Sequence, residues 1–221
     1  MLLPMHSLLD EILDFVFPPR CAACRSRGAL LCASCCAACR PVPDTANQDQ
    51  HRRLASPFLA STAGAYIFEG PVREAIHLLK YHRRARVAVP LGDLLARYLA
   101  ANPLVVDAIV PVPLHPDRLQ MRGYNQAALL GRRLAQQIDV PLLDRQVVRV
   151  RHTAQQADLN RVERQANVHT AFAWQSERRP PLRILVIDDV LTTGATVAAV
   201  AQALHAAGAQ TVHALALARG L

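Results

Sequence analysis

The chain has 221 residues, which allows one domain of ordinary size and a small appendage. Apolar residues make up 52% of it, enough for a hydrophobic core, but only 5% are aromatic, so the core must be built mainly from Ala, Leu and Val. The net charge of +8 favours a polyanionic partner, but Lys80 is the only lysine among many arginines, a bias that a GC-rich coding sequence also produces.

Residues 1–19 predict a short amphipathic helix. Apolar residues recur at helical spacing from Leu8 to Phe17, and Pro18 and Pro19 end the pattern. Acidic residues interrupt this stretch, it is too short to span a membrane, and it lacks the basic segment of an export signal. We therefore expect no transmembrane segment and a cytoplasmic location.

All six cysteines fall within residues 20–40. Two Cys-x2-Cys pairs in a chain without an export signal predict a small zinc ribbon, with a structural zinc ion held by four thiolates. A disulfide cluster is the main alternative, and a thioredoxin-like redox site is disfavoured because no βαβ pattern surrounds the motif. The spacing does not decide which cysteines complete the site, because there are three pairs: Cys21/Cys24, Cys32/Cys35 and Cys36/Cys39.

Residues 41–60 are polar and contain prolines, which predicts a linker. From residue 61 to residue 221, apolar strands alternate with helices. The predicted strands are STAGAYIFEG, DAIVPV, VVRVR, RILVIDD and TVHALALA, and the predicted helices are PVREAIHLLKYH, PLGDLLARYLAA, NQAALLGRRLAQQI and ATVAAVAQALHAAG. This alternation predicts an α/β domain with a mostly parallel sheet and helices on both faces.

The segment VIDDVLTTGATV, residues 186–197, carries the clearest chemical signal. Two acids end a buried strand and a helix begins shortly after, so the turn between them lies where parallel sheets bind ligands. The helix start offers unpaired N–H groups, the threonines add hydroxyl donors, and the glycine allows close approach, all of which suit a phosphate. The predicted phosphate-binding residues are Thr192, Thr193, Gly194, Ala195 and Thr196.

The paired acids, Asp188 and Asp189, require a different part of the ligand. They would repel a phosphate, so we expect them to face the vicinal hydroxyls of a ribose, with a magnesium ion close by. The predicted ligand is therefore a ribose that carries a 5′-phosphate. The GxxxxGK[ST] and GxGxxG phosphate motifs are both absent. The alternative is that the acids only end a strand and that Thr192 only caps a helix.

The same segment resembles the signature of type I phosphoribosyltransferases, which bind 5-phosphoribosyl-1-pyrophosphate (PRPP). Together with the cysteine segment, the stretches IHLLKYHRR, DAIVPVPLHPDRLQMRGYNQA and RVRHTAQQADLNRVERQANVHTAF are similar to the ComF family. This resemblance runs over nearly the whole chain. It implies a type I phosphoribosyltransferase-like sheet behind a small N-terminal zinc ribbon, and a role in DNA uptake during natural transformation.

The resemblance also implies roles for individual residues. Asp188 and Asp189 would be the catalytic pair that holds the ribose hydroxyls, and the loop after the strand DAIVPV would receive the pyrophosphate. Arg122 would be the main pyrophosphate contact, because a guanidinium fork suits phosphate oxygens. The other expected PRPP-binding residues are Pro111, Val112, Gly123, Asn125 and Lys80.

Four residues in these stretches have competing interpretations. Tyr124, Asn125 and Gln126 are expected to hydrogen-bond either the ligand or the loop, and the alternative for Asn125 is a helix N-cap. For Lys80, the alternative is a side chain that extends from an amphipathic helix into solvent.

A polar stretch from Arg149 onward lacks a continuous apolar face, which is typical of a lid or an anion-binding strap. The alternatives are a solvated basic helix for this stretch and an exposed surface charge for Arg118. The predicted auxiliary anion-binding residues are Arg118, Arg149, Arg151, Gln156, Arg164 and Asn167.

The family pattern favours Cys21, Cys24, Cys32 and Cys35 as the zinc ligands, with Cys36 and Cys39 as alternatives. Many relatives resemble a double ribbon with further Cys-x2-Cys pairs downstream, which this chain lacks, so a second zinc ion is not expected.

We therefore expect a protein that binds PRPP with magnesium and transfers its phosphoribosyl group to an acceptor that the sequence does not specify. The alternative is a non-catalytic factor that keeps the PRPP pocket but handles single-stranded DNA or senses nucleotides. A third hypothesis is an adaptor that docks a DNA-uptake or helicase partner protein.

Overall fold

The computed structural model describes residues 18–150 and 171–220. The predicted helix over residues 1–19 therefore lies outside the described residues, except for Pro18 and Pro19. The strands are β1 (Ser61–Ile67), β2 (Ala108–Pro111), β3 (Val147–Arg149), β4 (Phe172–Trp174), β5 (Arg183–Leu191) and β6 (Thr211–Arg219). Four of them form one sheet in the order β1-β6-β5-β2, and every pair in it is parallel. The predicted parallel sheet is confirmed, and β5 continues past Asp189 to Leu191.

The helices of the described ranges are α1 (Ala33–Ala37), α2 (Asp44–Leu54), α3 (Gly70–Tyr81), α4 (Ala88–Ala101), α5 (Pro116–Arg122), α6 (Gln126–Ile138) and α7 (Ala195–Ala206). The four helices predicted from apolar periodicity correspond to α3, α4, α6 and α7. Pro71 occupies the first turn of α3, where its missing N–H costs nothing. Asn125 caps α6 by accepting a hydrogen bond from the N–H of Ala127 at 3.0 Å.

Helices cover both faces of the sheet, because the strands are apolar on both sides. Leu185 and Ile187 of β5 pack with α4 and α6 on one face, whereas Ile184 and Val186 pack with α7 on the other. All four side chains are fully buried, and each stabilises the fold by about 1.5–3 kcal/mol. Successive side chains of a strand point to opposite faces, so this packing also fixes the directions of the two acids that follow.

A small antiparallel hairpin packs against α7. It pairs β3 with β4, so that Val147 lies opposite Trp174 and Arg149 lies opposite Phe172. Phe172 is buried in the same apolar cluster as Val200 of α7. The hairpin thus anchors Arg149 at the start of the predicted anion-binding strap.

The prediction of a linker over residues 41–60 is wrong for α2, which is helical and packs against β1. Asn47 is 7% exposed. Its side chain donates to the carbonyl of Gly64 at 3.1 Å and accepts from the N–H of Gly64 at 3.0 Å. Helical periodicity of apolar residues did not predict α2, because the helix contacts β1 through the buried amide of Asn47 and has no apolar stripe.

The cysteine segment packs directly on the α/β core. Cys21 and Leu31 are buried in the same cluster as Ile76 of α3. The chain that leaves the segment then pairs with β1: the N–H of Val42 donates to Ala65 at 3.1 Å, and the N–H of Ile67 donates to Arg40 at 2.9 Å. The edge of β1 is therefore covered by residues that follow the last cysteine.

Candidate functional site

A cavity of about 260 Å³ opens at the carboxyl ends of β2 and β5. α3, α5, α6 and α7 contribute the other walls, together with the loop after β2 and strand β3. The predicted ligand residues that it brings together are Lys80, Val112, Arg118, Arg122, Asn125, Arg149, Asp188, Asp189 and Thr196. This is the edge at which parallel α/β sheets bind ligands.

A larger groove of about 710 Å³ lies between α4 and α6, at the amino end of β2. Its wall is mainly aliphatic, and two of its charged residues, Asp93 and Arg133, pair with each other at 2.6 Å. This groove lacks the acid pair and the surrounding cations that line the smaller cavity. We therefore assign the candidate site to the smaller cavity, although the groove is larger.

Asp188 and Asp189 lie side by side near the end of β5, and Asp189 is 8% exposed. Burial of its carboxyl group, and then the charge of Asp189, raise the pKa of Asp188 from its usual 3.8 to about 7. The N–H of Asp189 donates to Oδ1 of Asp188 at 2.8 Å and opposes this shift. Adjacent acids that destabilise each other are typical of a binding site and not of a plain strand end.

Lys80 joins the acids from the last turn of α3. Its Nζ lies 2.8 Å from Oδ1 of Asp189, and the two side chains are 19% and 12% exposed. The solvent-facing alternative for Lys80 is therefore wrong. Because its charge is held inside the cavity, Lys80 offsets part of the negative charge of the acid pair.

The loop from Thr192 to Gly194 connects β5 to the N-terminus of α7. Gly194 has a φ of 84°, and a Cβ added to it would lie 2.9 Å from the side chain of Leu54. The positive φ favours glycine at this position, and a Cβ would also require a methyl group of Leu54 to shift. Thr192, Thr193 and Thr196 are exposed, and Thr193 accepts a hydrogen bond from the N–H of Ala195 at 3.3 Å.

Helix α2 braces this loop through Gln50, which the sequence reasoning did not identify. Its Nε2 donates to the carbonyls of Thr192 and Thr193, at 3.3 and 3.0 Å. In a trans peptide the following N–H points opposite to the carbonyl, so Gln50 turns the N–H groups of Thr193 and Gly194 away from α2. No local signal could have found Gln50, because it lies 142 positions from Thr192.

A buried arginine at the end of β6 fixes α2 in place. Arg219 is 8% exposed. Its Nη1 donates to the carbonyl of Ala46 at 2.7 Å, and its Nη2 lies 3.5 Å from Oε1 of Gln50. The brace therefore runs from Arg219 through α2 to the loop before α7.

The loop after β2 is held by Asn125. The Nδ2 of Asn125 donates to the carbonyl of Val112 at 2.9 Å, while its Oδ1 caps α6. The cap interpretation is confirmed, and it coexists with a loop contact. Pro111 is the buried end of β2, and Gly123, which has a φ of 82°, ends α5 outside the cavity wall.

Arginines line the cavity on the side of this loop. The guanidinium of Arg122 lies 5.5 Å from the ring centroid of Tyr81, and that of Arg149 lies 5.6 Å from the centroid of Phe172. Burial, and then the charge of Arg118, lower the pKa of Arg149. An anion bound between these arginines would relieve their repulsion. Four predicted strap residues, Arg151, Gln156, Arg164 and Asn167, lie outside the described residues.

Four thiols gather at a second site. One sulfur atom from each residue lies within 4.8 Å of all the others, and the four residues are Cys21, Cys24, Cys32 and Cys35. A tetrahedral zinc ion with Zn–S bonds of about 2.3 Å needs S–S separations of about 3.8 Å, so the cluster fits this metal. Among the described residues, the geometry thus favours the set that the family pattern indicated.

The remaining two thiols contact backbone carbonyls instead. Cys36 donates to Leu31 at 3.8 Å, and Cys39 donates to Cys35 at 3.3 Å. Burial raises the pKa of Cys36, and it raises the pKa of Cys39 to about 11. Both thiols are directed at carbonyls and lie outside the group of four clustered sulfur atoms.

Ionisation differs within the cluster. Burial opposes ionisation of Cys21, but backbone hydrogen bonds, chiefly from Cys32, outweigh it and lower the pKa of this thiol to about 6. Burial and the neighbouring thiols raise the pKa of Cys35. A bound cation would relieve this crowding, because metal ligation favours thiolates.

Comparison with known proteins agrees with this geometry. The profile of a phosphoribosyl transferase domain matches residues 125–221, which contain β5, the loop and α7. The parallel sheet, the acid pair and the loop therefore define a phosphoribosyltransferase-type domain. Within the described part of the chain, no helix is both long and apolar enough to cross a membrane.

The relatives define the family. The chain is 38% identical over 157 residues to the DNA utilization protein YhgH of Salmonella typhi, which covers 68% of each protein. It is 38% identical over 115 residues to Competence protein F of Haemophilus influenzae, and this match covers 51% of the chain and 50% of the relative. Competence protein ComFC of Streptococcus pneumoniae is 33% identical over 135 residues, 58% of each chain. The chain belongs to the ComF family.

Proposed function

We propose that this protein binds PRPP with magnesium in the 260 Å³ cavity and transfers the phosphoribosyl group to an acceptor. The observation that carries the proposal is the acid pair, with Asp188 partly buried and Asp189 buried, between a loop suited to a phosphate and a wall of arginines. Acids that accept hydrogen bonds from vicinal hydroxyls, flanked by two anion-binding regions, match a ribose with a phosphate at each end.

The donors and charged side chains of the site determine where each group of PRPP would bind. The 5′-phosphate would lie against the N–H groups of the loop before α7, oriented by Gln50. The pyrophosphate would lie against the loop after β2, where Arg118, Arg122 and Arg149 concentrate positive charge. Magnesium is coordinated by carboxylate and phosphate oxygens, both of which this ligand and site supply.

Positioning and charge neutralisation account for the proposed chemistry. The bond between the ribose C1 and the pyrophosphate oxygen breaks, and the electron pair leaves with pyrophosphate. A lone pair of the acceptor forms the new bond to C1, and the acceptor loses its proton to solvent. Asp188 and Asp189 hold the ribose during this exchange, and Arg122 stabilises the leaving group. Bound magnesium would supply further neutralisation of the pyrophosphate charge.

Calorimetry tests the pocket. PRPP with magnesium is titrated into the wild type and into a variant that carries Asp188→Asn and Asp189→Asn, with Asp93→Asn as a control for the change of residue type at a distant ion pair. We expect binding to the wild type and to the control, and none to the double variant. Absence of heat with the wild type would refute the proposal. Release of pyrophosphate across a panel of bases and amines then identifies the acceptor and separates an enzyme from a sensor.

We propose a structural zinc ion for Cys21, Cys24, Cys32 and Cys35. The support is the clustering of four thiols beneath α3, where a metal would fix the cysteine segment against the core. A reducing, cytoplasmic compartment would keep these thiols available for the metal.

A second candidate function is the handling of single-stranded DNA; one relative is named a DNA utilization protein. This function is favoured by a basic surface beside the cavity, formed by the end of α3 and by α5. Arg83, which follows α3, connects the two by donating to the carbonyl of Met121 in α5 at 3.2 Å. Tyr81 and Met121 are 65% and 68% exposed there, beside the arginines of α5. Cations next to exposed apolar side chains suit a flexible strand with unpaired bases. Affinity for oligonucleotides across a salt series tests this function, and a flat dependence on salt would argue against it.

A further inference from the structure

Two of three consecutive polar residues, Asn125 and Gln126, line the cavity and Tyr124 precedes them, and the structure separates the roles of all three. Tyr124 donates its hydroxyl to the carbonyl of Leu79 at 2.7 Å. Asn125 uses both ends of its amide on the protein, one on Val112 and one on Ala127. The sequence treats all three as equal candidates for a ligand contact, but two of them are occupied by the fold.

Gln126 is the exception. It is 1% exposed, and its Nε2 is buried without a hydrogen-bond partner among the described residues. A buried amide donor without an acceptor destabilises a protein, so such groups are rare in cores and concentrate where a ligand completes them. Gln126 lines the candidate cavity at the first turn of α6, next to the loop after β2.

The chemistry of the surrounding groups indicates the missing acceptor. The ribose hydroxyls, in the proposed function, donate to Asp188 and Asp189, at the end of β5. The 5′-phosphate would lie on the loop before α7, whereas Gln126 lies at the start of α6, next to Asn125, which holds the loop after β2. The acceptor-only oxygens expected on this side belong to the pyrophosphate, which a neutral amide can bind at any pH.

We propose that Gln126 is a ligand-binding residue whose Nε2 donates to a pyrophosphate oxygen of the bound ligand. This inference rests on the proposed function of the cavity. Arg122 and its neighbours supply charge on the side of α5, and Gln126 supplies an uncharged donor from the first turn of α6. The helix cap that Asn125 provides fixes the backbone of this turn, and a rotation of the Gln126 side chain would bring its buried Nε2 into the cavity when the ligand binds.

The test measures the two halves of the ligand separately. Inorganic pyrophosphate with magnesium, and ribose 5-phosphate alone, are titrated into the wild type, Gln126→Leu, the isosteric Gln126→Glu and the control Gln136→Leu. Gln136 is exposed on the same helix. We expect Gln126→Leu to weaken pyrophosphate binding roughly 10- to 100-fold, the loss of one hydrogen bond to a charged acceptor. Ribose 5-phosphate should bind as to the wild type. Gln126→Glu should weaken pyrophosphate binding further, because it adds a negative charge to the site.

Thermal unfolding without ligand provides the second readout. Because Gln126→Leu removes an unsatisfied donor, we expect the melting temperature to stay equal or to rise. A lower melting temperature with equal losses for both half-ligands would assign Gln126 a structural role and overturn the inference. Unchanged pyrophosphate binding by Gln126→Leu would overturn it while leaving the proposed function intact. If the wild type binds neither half, the proposed function fails and the inference fails with it.

Discussion

Replacing Asp188 with asparagine is expected to stabilise the protein while it abolishes PRPP binding. The pKa of Asp188 is raised from 3.8 to about 7, first by burial and then by the charge of Asp189. A carboxyl group whose pKa is raised on folding destabilises the folded state wherever it is ionised. The penalty is absent below about pH 4, grows between about pH 4 and pH 7, and is constant above that range.

The size of the effect follows from the same values. The difference between 3.8 and about 7, at about 1.36 kcal/mol per pKa unit, sets an upper limit of about 4 kcal/mol. Asp188 is only partly buried, so solvent screens part of this penalty and we expect about half of the limit. A gain of about 2 kcal/mol raises the melting temperature of a chain of this size by about 4–8 °C.

Differential scanning calorimetry of the wild type and Asp188→Asn, at about pH 8 and about pH 5, measures the effect. The variant should melt higher at the upper pH and by a smaller amount at the lower pH, where Asp188 is largely protonated in the folded state but still ionised in the unfolded state. The control Asp93→Asn breaks an ion pair with Arg133 and should melt slightly lower at both. If Asp188→Asn melts lower than the wild type at about pH 8, or if its shift is the same at both pH values, the reasoning about the acid pair is wrong.

Three further outcomes follow from other contacts. Gln50→Ala removes two hydrogen bonds to the loop before α7. In calorimetry it should weaken ribose 5-phosphate binding about tenfold and leave pyrophosphate binding unchanged. An equal loss of affinity for both ligands would contradict the role of Gln50 in bracing the loop. Cys35→Ser should lower the zinc content of purified protein, measured by atomic emission, whereas Cys36→Ser should keep one zinc ion per chain; the opposite result would reassign the ligands. Gly194→Ala places a Cβ 2.9 Å from Leu54 in a residue with a positive φ. It should lower the melting temperature and the affinity for ribose 5-phosphate. An unchanged affinity would show that the loop tolerates a different backbone.

The sequence alone determined the central sheet and the position of the acid pair. Apolar runs in β5 and β6, and helical periodicity in α3, α4, α6 and α7, are local signals that packing reinforces. The acids, the threonines and Gly194 are consecutive in the chain, so their chemistry could be predicted together. The linker prediction failed over α2, because a helix held by Asn47 and Arg219 carries no apolar stripe.

Only the tertiary structure decided which of the candidate side chains are available to a ligand. Lys80 pairs with Asp189, Asn125 is used by the fold, and Gln126 keeps a buried donor. The sequence left a ligand contact open for each of them, because a hydrogen bond depends on which group lies opposite. The spacing alone also left Cys35 and Cys36 open, although the family pattern favoured Cys35; the structure separates them because adjacent residues of α1 point in different directions. Gln50 is the clearest example of a contact that the sequence could not predict. It lies 142 positions from Thr192, and the two residues meet only because α2 packs on the same sheet that carries the loop.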